Sequence, residues 1–227
     1  MNILYEDDSL LVCDKEAGLA VESADLRRKD LVSLLKNEYH TPYLGVVHRL
    51  DQPVRGLMVF ARTPKAAAEL SAQSASGKMR KEYLAAVLPG DGVFLPEEMT
   101  LTDHLLRDGR SNTSRVVPAG TKGARRASLS FTDVTGAYEI SKLMPAISCE
   151  KKLHLLRVRL HTGRHHQIRV QLSHAGYPIL GDRKYGRDEQ GGGLKFPALC
   201  AAALTFAHPE SGAEMSFELS EENLCFV

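Results

Sequence analysis

Leu153-His154-Leu155-Leu156-Arg157-Val158-Arg159-Leu160 runs directly into His161-Thr162-Gly163-Arg164-His165-His166-Gln167-Ile168-Arg169. In the first half, Leu153, Leu155, Arg157 and Arg159 alternate with His154, Leu156, Val158 and Leu160, the period of a strand with one apolar and one mixed face. The second half changes period. Thr162 can cap a helix over about 165–174, which Gly176 closes, and Ile168 and Leu172 lie on its core side. A strand passing into a helix without a βαβ rhythm around it is the first sign of an α+β chain.

Working outward, the same pattern recurs. Short strands are expected at 3–5, 10–13, 44–47, 57–61, 83–88, 116–117, 127–131, 199–206 and 214–219. Asp30 caps a helix carrying Leu31, Leu34 and Leu35, and Thr63-Pro64 opens an Ala-rich helix that ends at Gly77. Strands outnumber helices and do not alternate with them regularly. The expected fold is therefore α+β, a mixed and largely antiparallel sheet with flanking helices. Segments 90–96 and 187–193 read as flexible surface loops. With neither an interdomain linker nor an internal repeat in sight, residues 1–227 are expected to form a single catalytic domain.

Composition narrows function by exclusion. The 227 residues, 43% hydrophobic and 25% charged, are enough for a core and argue against disorder. The start, Met1-Asn2-Ile3-Leu4-Tyr5-Glu6, is not a signal peptide, and no uncharged apolar run reaches bilayer length. Four scattered cysteines suit a reducing compartment better than a disulfide framework. A cytoplasmic protein with no membrane role is expected. The net charge of +1 means that any nucleic-acid binding must rest on local patches.

Three constellations can carry chemistry. His48-Arg49-Leu50-Asp51 sits at the end of an apolar strand, before the turn at Gly56; a surface ion pair or a cleft carboxylate both fit. Arg164, His165, His166, Gln167 and Arg169 make a cationic stretch suited to phosphate oxygens or to keeping a carboxylate ionised, with His165 and Arg169 one turn apart on the expected helix. Tyr83, in Lys81-Glu82-Tyr83, is either a core side chain or a planar shelf for a base. His161 and His165 have the i, i+4 spacing of zinc ligands, but no acid stands between them, so no metal is expected. A phosphate-binding glycine loop and a serine nucleophile elbow are both absent.

Taken in order, these motifs resemble the RluA family of RNA pseudouridine synthases. So do Ile3-Leu4-Tyr5-Glu6-Asp7, Val12-Cys13-Asp14-Lys15-Glu16-Ala17-Gly18-Leu19, Pro178-Ile179-Leu180-Gly181-Asp182-Arg183-Lys184-Tyr185-Gly186 and Leu204-Thr205-Phe206-Ala207-His208-Pro209. The likeness is to short members that lack the accessory N-terminal RNA-binding domain.

The resemblance implies a mixed sheet with a central RNA-binding cleft, tRNA or rRNA as partner, and no cofactor; a monomer is the default expectation. It implies Asp51 as nucleophile, Tyr83 stacking on the flipped uracil, and Arg169 pairing with Asp51. Arg49 would extrude the nucleotide, with His48, Arg164, His166 and Gln167 contributing to RNA binding. Three positions depart from the family pattern: Val54-Arg55 stand where Thr-Ser is usual, Lys15-Glu16 where Lys-Pro is usual, and Cys200 where a His precedes Ala201. A catalytically impaired RNA-binding or RNA-folding protein of the same fold is the alternative.

Overall fold

A computed structural model describes residues 2–25, 27–144, 153–186, 193–224 and 226. In chain order it begins with β1 (Asn2–Glu6), β2 (Leu10–Lys15), α1 (Leu31–Glu38), β3 (Gly45–Val46), β4 (Arg55–Ala61) and α2 (Pro64–Ser76). There follow β5 (Arg80–Val87), β6 (Glu98–Asp108), β7 (Thr113–Val117), β8 (Arg125–Asp133) and a short α3 (Ile140–Leu143). The chain closes with β9 (His154–Leu160), α4 (Gln167–His174), β10 (Leu199–Ala207) and β11 (Glu214–Glu218). It divides into two compact units, residues 1–81 with 201–220 and residues 82–200 with 221–227.

In the first unit the strand order is β1-β2-β4-β10, with β3 also on β4 and β11 on β10. β2 and β4 are antiparallel from Leu10 opposite Ala61 to Lys15 opposite Gly56. Both strands are continuous buried apolar runs, Leu10–Cys13 and Leu57–Ala61, because both faces are covered. The helix signals act as expected. Asp30 accepts from the Ser33 amide, Thr63 accepts from Ala66, Pro64 occupies the first turn of α2, and Gly77 ends that helix at φ +75°. Gly56 is required for a different reason. Its φ is +129°, and a Cβ there would lie 2.3 Å from the Ala201 carbonyl oxygen.

The second unit orders its strands β5-β9-β8-β6-β7. All four pairings are antiparallel. The alternation in β9 works as read: Val158 lies opposite Tyr83 and Phe131 on the apolar face, and Arg159 lies opposite Glu82 and Ser130 on the other. α4 covers the apolar face, where Val170 packs with Leu105 and Ala127.

The eleven-residue β6 is absent from the sequence expectations, as are α3 and the first half of β7. In β6, Leu101 and Leu105 face the core with Asp103 between them, and that acid breaks the apolar pattern. Asp103 is tolerated because Gln171 of α4 donates to its carboxylate at 2.7 Å. The segment 90–96 has no regular structure, yet its backbone is fixed: Tyr177 donates its hydroxyl to the Phe94 carbonyl at 2.9 Å and Gly90 bonds Gly176. The other expected loop, 187–193, lies outside the described residues except at its last position. No helix among the described residues is long and apolar enough to cross a membrane.

Candidate active site

The segment that delivers Asp51 is built from β3 outward. β3 leaves β4 after Val46, and His48 continues the connection with its side chain: its Nε2 accepts the Val59 amide of β4 at 3.2 Å. Arg49 then points out to solvent, where it pairs with Glu22 at 3.2 Å, while Leu50 is buried. Both partners of that ion pair are well exposed, so it contributes little stability and can be exchanged for another anion. Asp51 is half-buried, and its carbonyl accepts the Val54 amide at 2.9 Å, closing the turn toward Gly56.

Lys15 holds this turn from below. It is fully buried at the end of β2, and its ammonium donates to the carbonyls of Glu16 (2.9 Å), Leu19 (2.8 Å) and Gln52 (3.1 Å). Gln52 is tied a second time, its carbonyl to Gly18 N–H at 2.9 Å and its amide nitrogen to the Gly18 carbonyl at 3.0 Å. Burial drives the Lys15 pKa down to about 8, and the Asp51 carboxylate is the strongest of the groups working the other way. A buried cation thus sits within electrostatic reach of Asp51 and fixes the residue after it.

The departure at Arg55 has a local explanation. Its guanidinium binds both carboxylate oxygens of Asp14 of β2, with Nη2 to Oδ2 at 2.7 Å and Nε to Oδ1 at 3.3 Å. Asp14, next to Lys15 in sequence, thus has a cation of its own. His48 is neutral: burial, and then the nearby Lys81 ammonium, push its pKa down to about 3. Because Nε2 accepts from Val59, the ring proton is on Nδ1, which has no hydrogen-bond partner among the described residues.

The remaining candidates lie in the second unit. Tyr83 is buried on β5, on the face it shares with Val158 and Phe131. The side chains of Arg169 and Asp182 are 4% and 1% exposed. They form two hydrogen bonds of 2.7 Å, from Nε and Nη2. Arg169 also lies over the Tyr185 ring at 5.2 Å. Tyr185 in turn accepts from the Ser114 amide and hydrogen-bonds His166 Nδ1 at 2.6 Å, and His166 stacks on His165 at 3.7 Å.

Two expectations need correction. Thr162 does not cap α4, and His165 is not on it. The helix begins at Gln167, preceded by His166 in the left-handed region at φ +54°. The Thr162 hydroxyl is engaged elsewhere, accepting from Ser128 N–H and donating to Gln167 Oε1. That Gln167 oxygen also accepts the Arg164 amide, and its nitrogen donates to the Ser128 carbonyl. Gln167 thus serves the turn itself, and Arg164 and His165 both precede the helix. Sequence reasoning assigned no role to Lys15 or Asp182. The signal for Lys15 was a lysine ending a strand that opens on the apolar run Leu10-Leu11-Val12-Cys13.

No group of three or more potential metal ligands occurs among the described residues. Comparison with known proteins then decides the assignment. The family model described as RNA pseudouridylate synthase matches residues 9–174.

The chain belongs to the RNA pseudouridine synthase family.

Among curated relatives of this synthase, ribosomal large subunit pseudouridine synthase D of Pseudomonas aeruginosa is 33% identical, over 96% of this chain and 67% of its own. Synthase C of Yersinia pestis is 33% identical over 97% and 66%. The chain spans about two thirds of the length of these relatives. Its fold is also that of two human proteins. Human RNA Pseudouridylate Synthase Domain Containing 1 superimposes with a TM-score of 0.73 at 21% identity, covering 96% of this chain and 82% of that one. Human RNA Pseudouridylate Synthase Domain Containing 4 gives 0.71 at 20% identity, covering 96% and 88%. At such identity the likeness establishes the synthase fold, α+β with a largely antiparallel sheet.

Proposed function

We propose that this chain carries out the isomerisation that defines its family, uridine to pseudouridine, at specific sites of structured RNA, with Asp51 as the nucleophile. Isomerisation requires breaking the glycosidic bond, turning the base, and rejoining it through carbon five. Reactant and product have the same atoms and electrons, so the chemistry calls for no cofactor. A carboxylate serves this reaction by attacking the anomeric carbon or by assisting a proton-abstraction route to a glycal. Both need an ionised Asp51 in a partly desolvated setting, where a nearby cation offsets the cost of burial.

The observation that carries the reading is the Lys15 ammonium: within electrostatic reach of Asp51, it fixes Gln52 through its carbonyl. In this reading Arg49, on the exposed turn, displaces the target nucleotide from its stack, and Tyr83 is the shelf for the uracil. Arg169 supplies a permanent positive charge, held rigid by Asp182. The whole chain acts as one catalytic domain, as a monomer in the cytoplasm. The substrate class is ribosomal or transfer RNA, and the names of the bacterial relatives favour ribosomal RNA. His48, Arg164, His166 and Gln167 shape the RNA-binding walls, His166 and Gln167 through the protein contacts they make. Intact Asp51, Tyr83 and Arg169 weigh against the impaired-enzyme alternative.

The test uses RNA from a strain lacking the gene, incubated with the full chain and mapped for pseudouridine. New sites are expected with the wild type and none with Asp51→Asn. No site with either protein, or the same sites with both, overturns the reading.

A further inference from the structure

The two faces of the second unit's ribbon are covered very differently. α4 lies against one of them, through Val170 on Leu105 and Ala127 and through Gln171 on Asp103. On the opposite face of β9, β8 and β6, the side chains are Arg159, Ser130, Arg126 and Thr102. Direct contacts fix which face they take: the Thr102 and Ser128 hydroxyls meet at 3.2 Å, and His161 Nε2 meets Ser130 Oγ at 3.0 Å. Arg126, Arg159, His161, Arg164 and Thr102 are all exposed. Arg159 lies directly opposite Ser130, and Arg164 reaches back to donate to the Arg126 carbonyl at 3.0 Å. Arg126 and Ser130, four residues apart on β8, are separated by about 13 Å of strand. Four basic groups therefore follow one track across the ribbon.

Of the acids on this face, Glu82 lies directly opposite Arg159 but is already bound by Arg157 at 3.2 Å, and Glu98 and Asp108 lie at the two ends of β6. Neither Arg126 nor Arg159 makes an ion pair with a described residue. On a chain whose net charge is only +1, this is a concentration of positive charge, not a sample of a uniformly basic surface.

We propose that this open face, centred on Arg126, Arg159, His161 and Arg164, docks the phosphodiester backbone of RNA flanking the modified uridine. The chemistry selects the occupant. The core of a protein–protein interface is apolar and rich in aromatic residues, whereas the centre of this face is guanidinium, imidazole and hydroxyl. Those are the groups that contact phosphate and sugar oxygens without reading sequence. The face is distinct from the one carrying Tyr83. Its contribution is affinity for long substrates, and the inference rests on the RNA-modifying reading above.

The experiment measures fluorescence anisotropy of a labelled 40-nucleotide RNA hairpin with single-stranded flanks, titrated with the full chain across a salt series. Arg126→Gln/Arg159→Gln is expected to weaken binding roughly tenfold at 100 mM salt, and to make the salt slope shallower by about 1.5. Thr102→Arg, which adds a cation to the same track, is expected to tighten binding and steepen the slope; it keeps the test informative should the double variant fold poorly. Unchanged affinity and slope in both variants overturns the proposal, as does a face that binds polyglutamate while RNA affinity is unaffected. If wild-type protein makes pseudouridine but the variants bind RNA as it does, only this inference fails. If the variants lose RNA affinity while wild type makes no pseudouridine, the face stands and the enzymatic reading falls.

Discussion

Replacing Lys15 with methionine keeps the buried stem and removes the ammonium that holds the Asp51 turn. The magnitude follows from the ionisation of the native side chain. Burial lowers its pKa from 10.5 to about 8. At 1.36 kcal/mol for each tenfold change, that difference amounts to about 3 kcal/mol. Below pH 8 Lys15 is charged in both the folded and unfolded chains, so the cost of burying the charge is fully present. Between pH 8 and 10.5 the folded protein gives up its proton while the unfolded chain keeps it, and stability rises with pH by linkage. Above 10.5 both are neutral and the gain is complete.

Urea unfolding of wild type and Lys15→Met at half-unit steps from pH 7.5 to 10.5 isolates this group, since other titrations cancel in the difference. Wild type should gain about 3 kcal/mol on the variant across that window. Catalysis should move the opposite way. The wild-type rate falls above pH 8 as the cation beside Asp51 is lost, and the variant is slower by roughly 10- to 100-fold, or about 1.4–2.7 kcal/mol, with no such limb. A stability difference constant to within about 1 kcal/mol, together with an unchanged pH–rate profile, would refute the argument that Lys15 is a buried cation supporting Asp51.

Three further outcomes follow from single observations. Asp182→Asn removes the carboxylate charge that binds the buried Arg169 guanidinium, which should cost about 3–5 kcal/mol in urea unfolding; a cost under about 1 kcal/mol would mean that the pair does not hold Arg169 in place. Gly56→Ala places a Cβ against the Ala201 carbonyl at a φ that alanine rarely adopts, so a loss of more than about 3 kcal/mol or failure to fold is expected, and wild-type melting would show the approach to be soft. The His48 pKa is lowered to about 3, below its unfolded value of ~6.5, so the stability it contributes is present above that unfolded value and lost as pH falls toward 3; nitrogen NMR should find the ring neutral and protonated at Nδ1 from pH 5 to 8, and a titration in that range would contradict the Val59 contact.

The sequence was most legible where local chemistry and tertiary structure agree. The caps at Asp30 and Thr63, the glycine end of α2, and the strand alternation of β9 each follow from the preferences of a few adjacent residues. β6 was hidden because its inward-facing Asp103 mimics a polar position, and Gln171, 68 residues away, makes that placement tolerable. The start of α4 was misread for a related reason. Thr162 has the chemistry of a cap, but Ser128, on another strand, engages its hydroxyl first.

The order of the motifs and the residue types at positions 51, 83 and 169 are written in the chain itself, because carboxylate, aromatic ring and guanidinium are properties of side chains wherever they are placed. What surrounds them is not. Lys15 reaches Gln52 across 37 residues, Arg55 finds Asp14 across 41, and Arg169 meets Asp182 through the course of the loop between them. Those pairings determine whether each charge is buried, neutralised or exposed. Charge in a protein is set by distance and desolvation, and neither exists until the chain has folded.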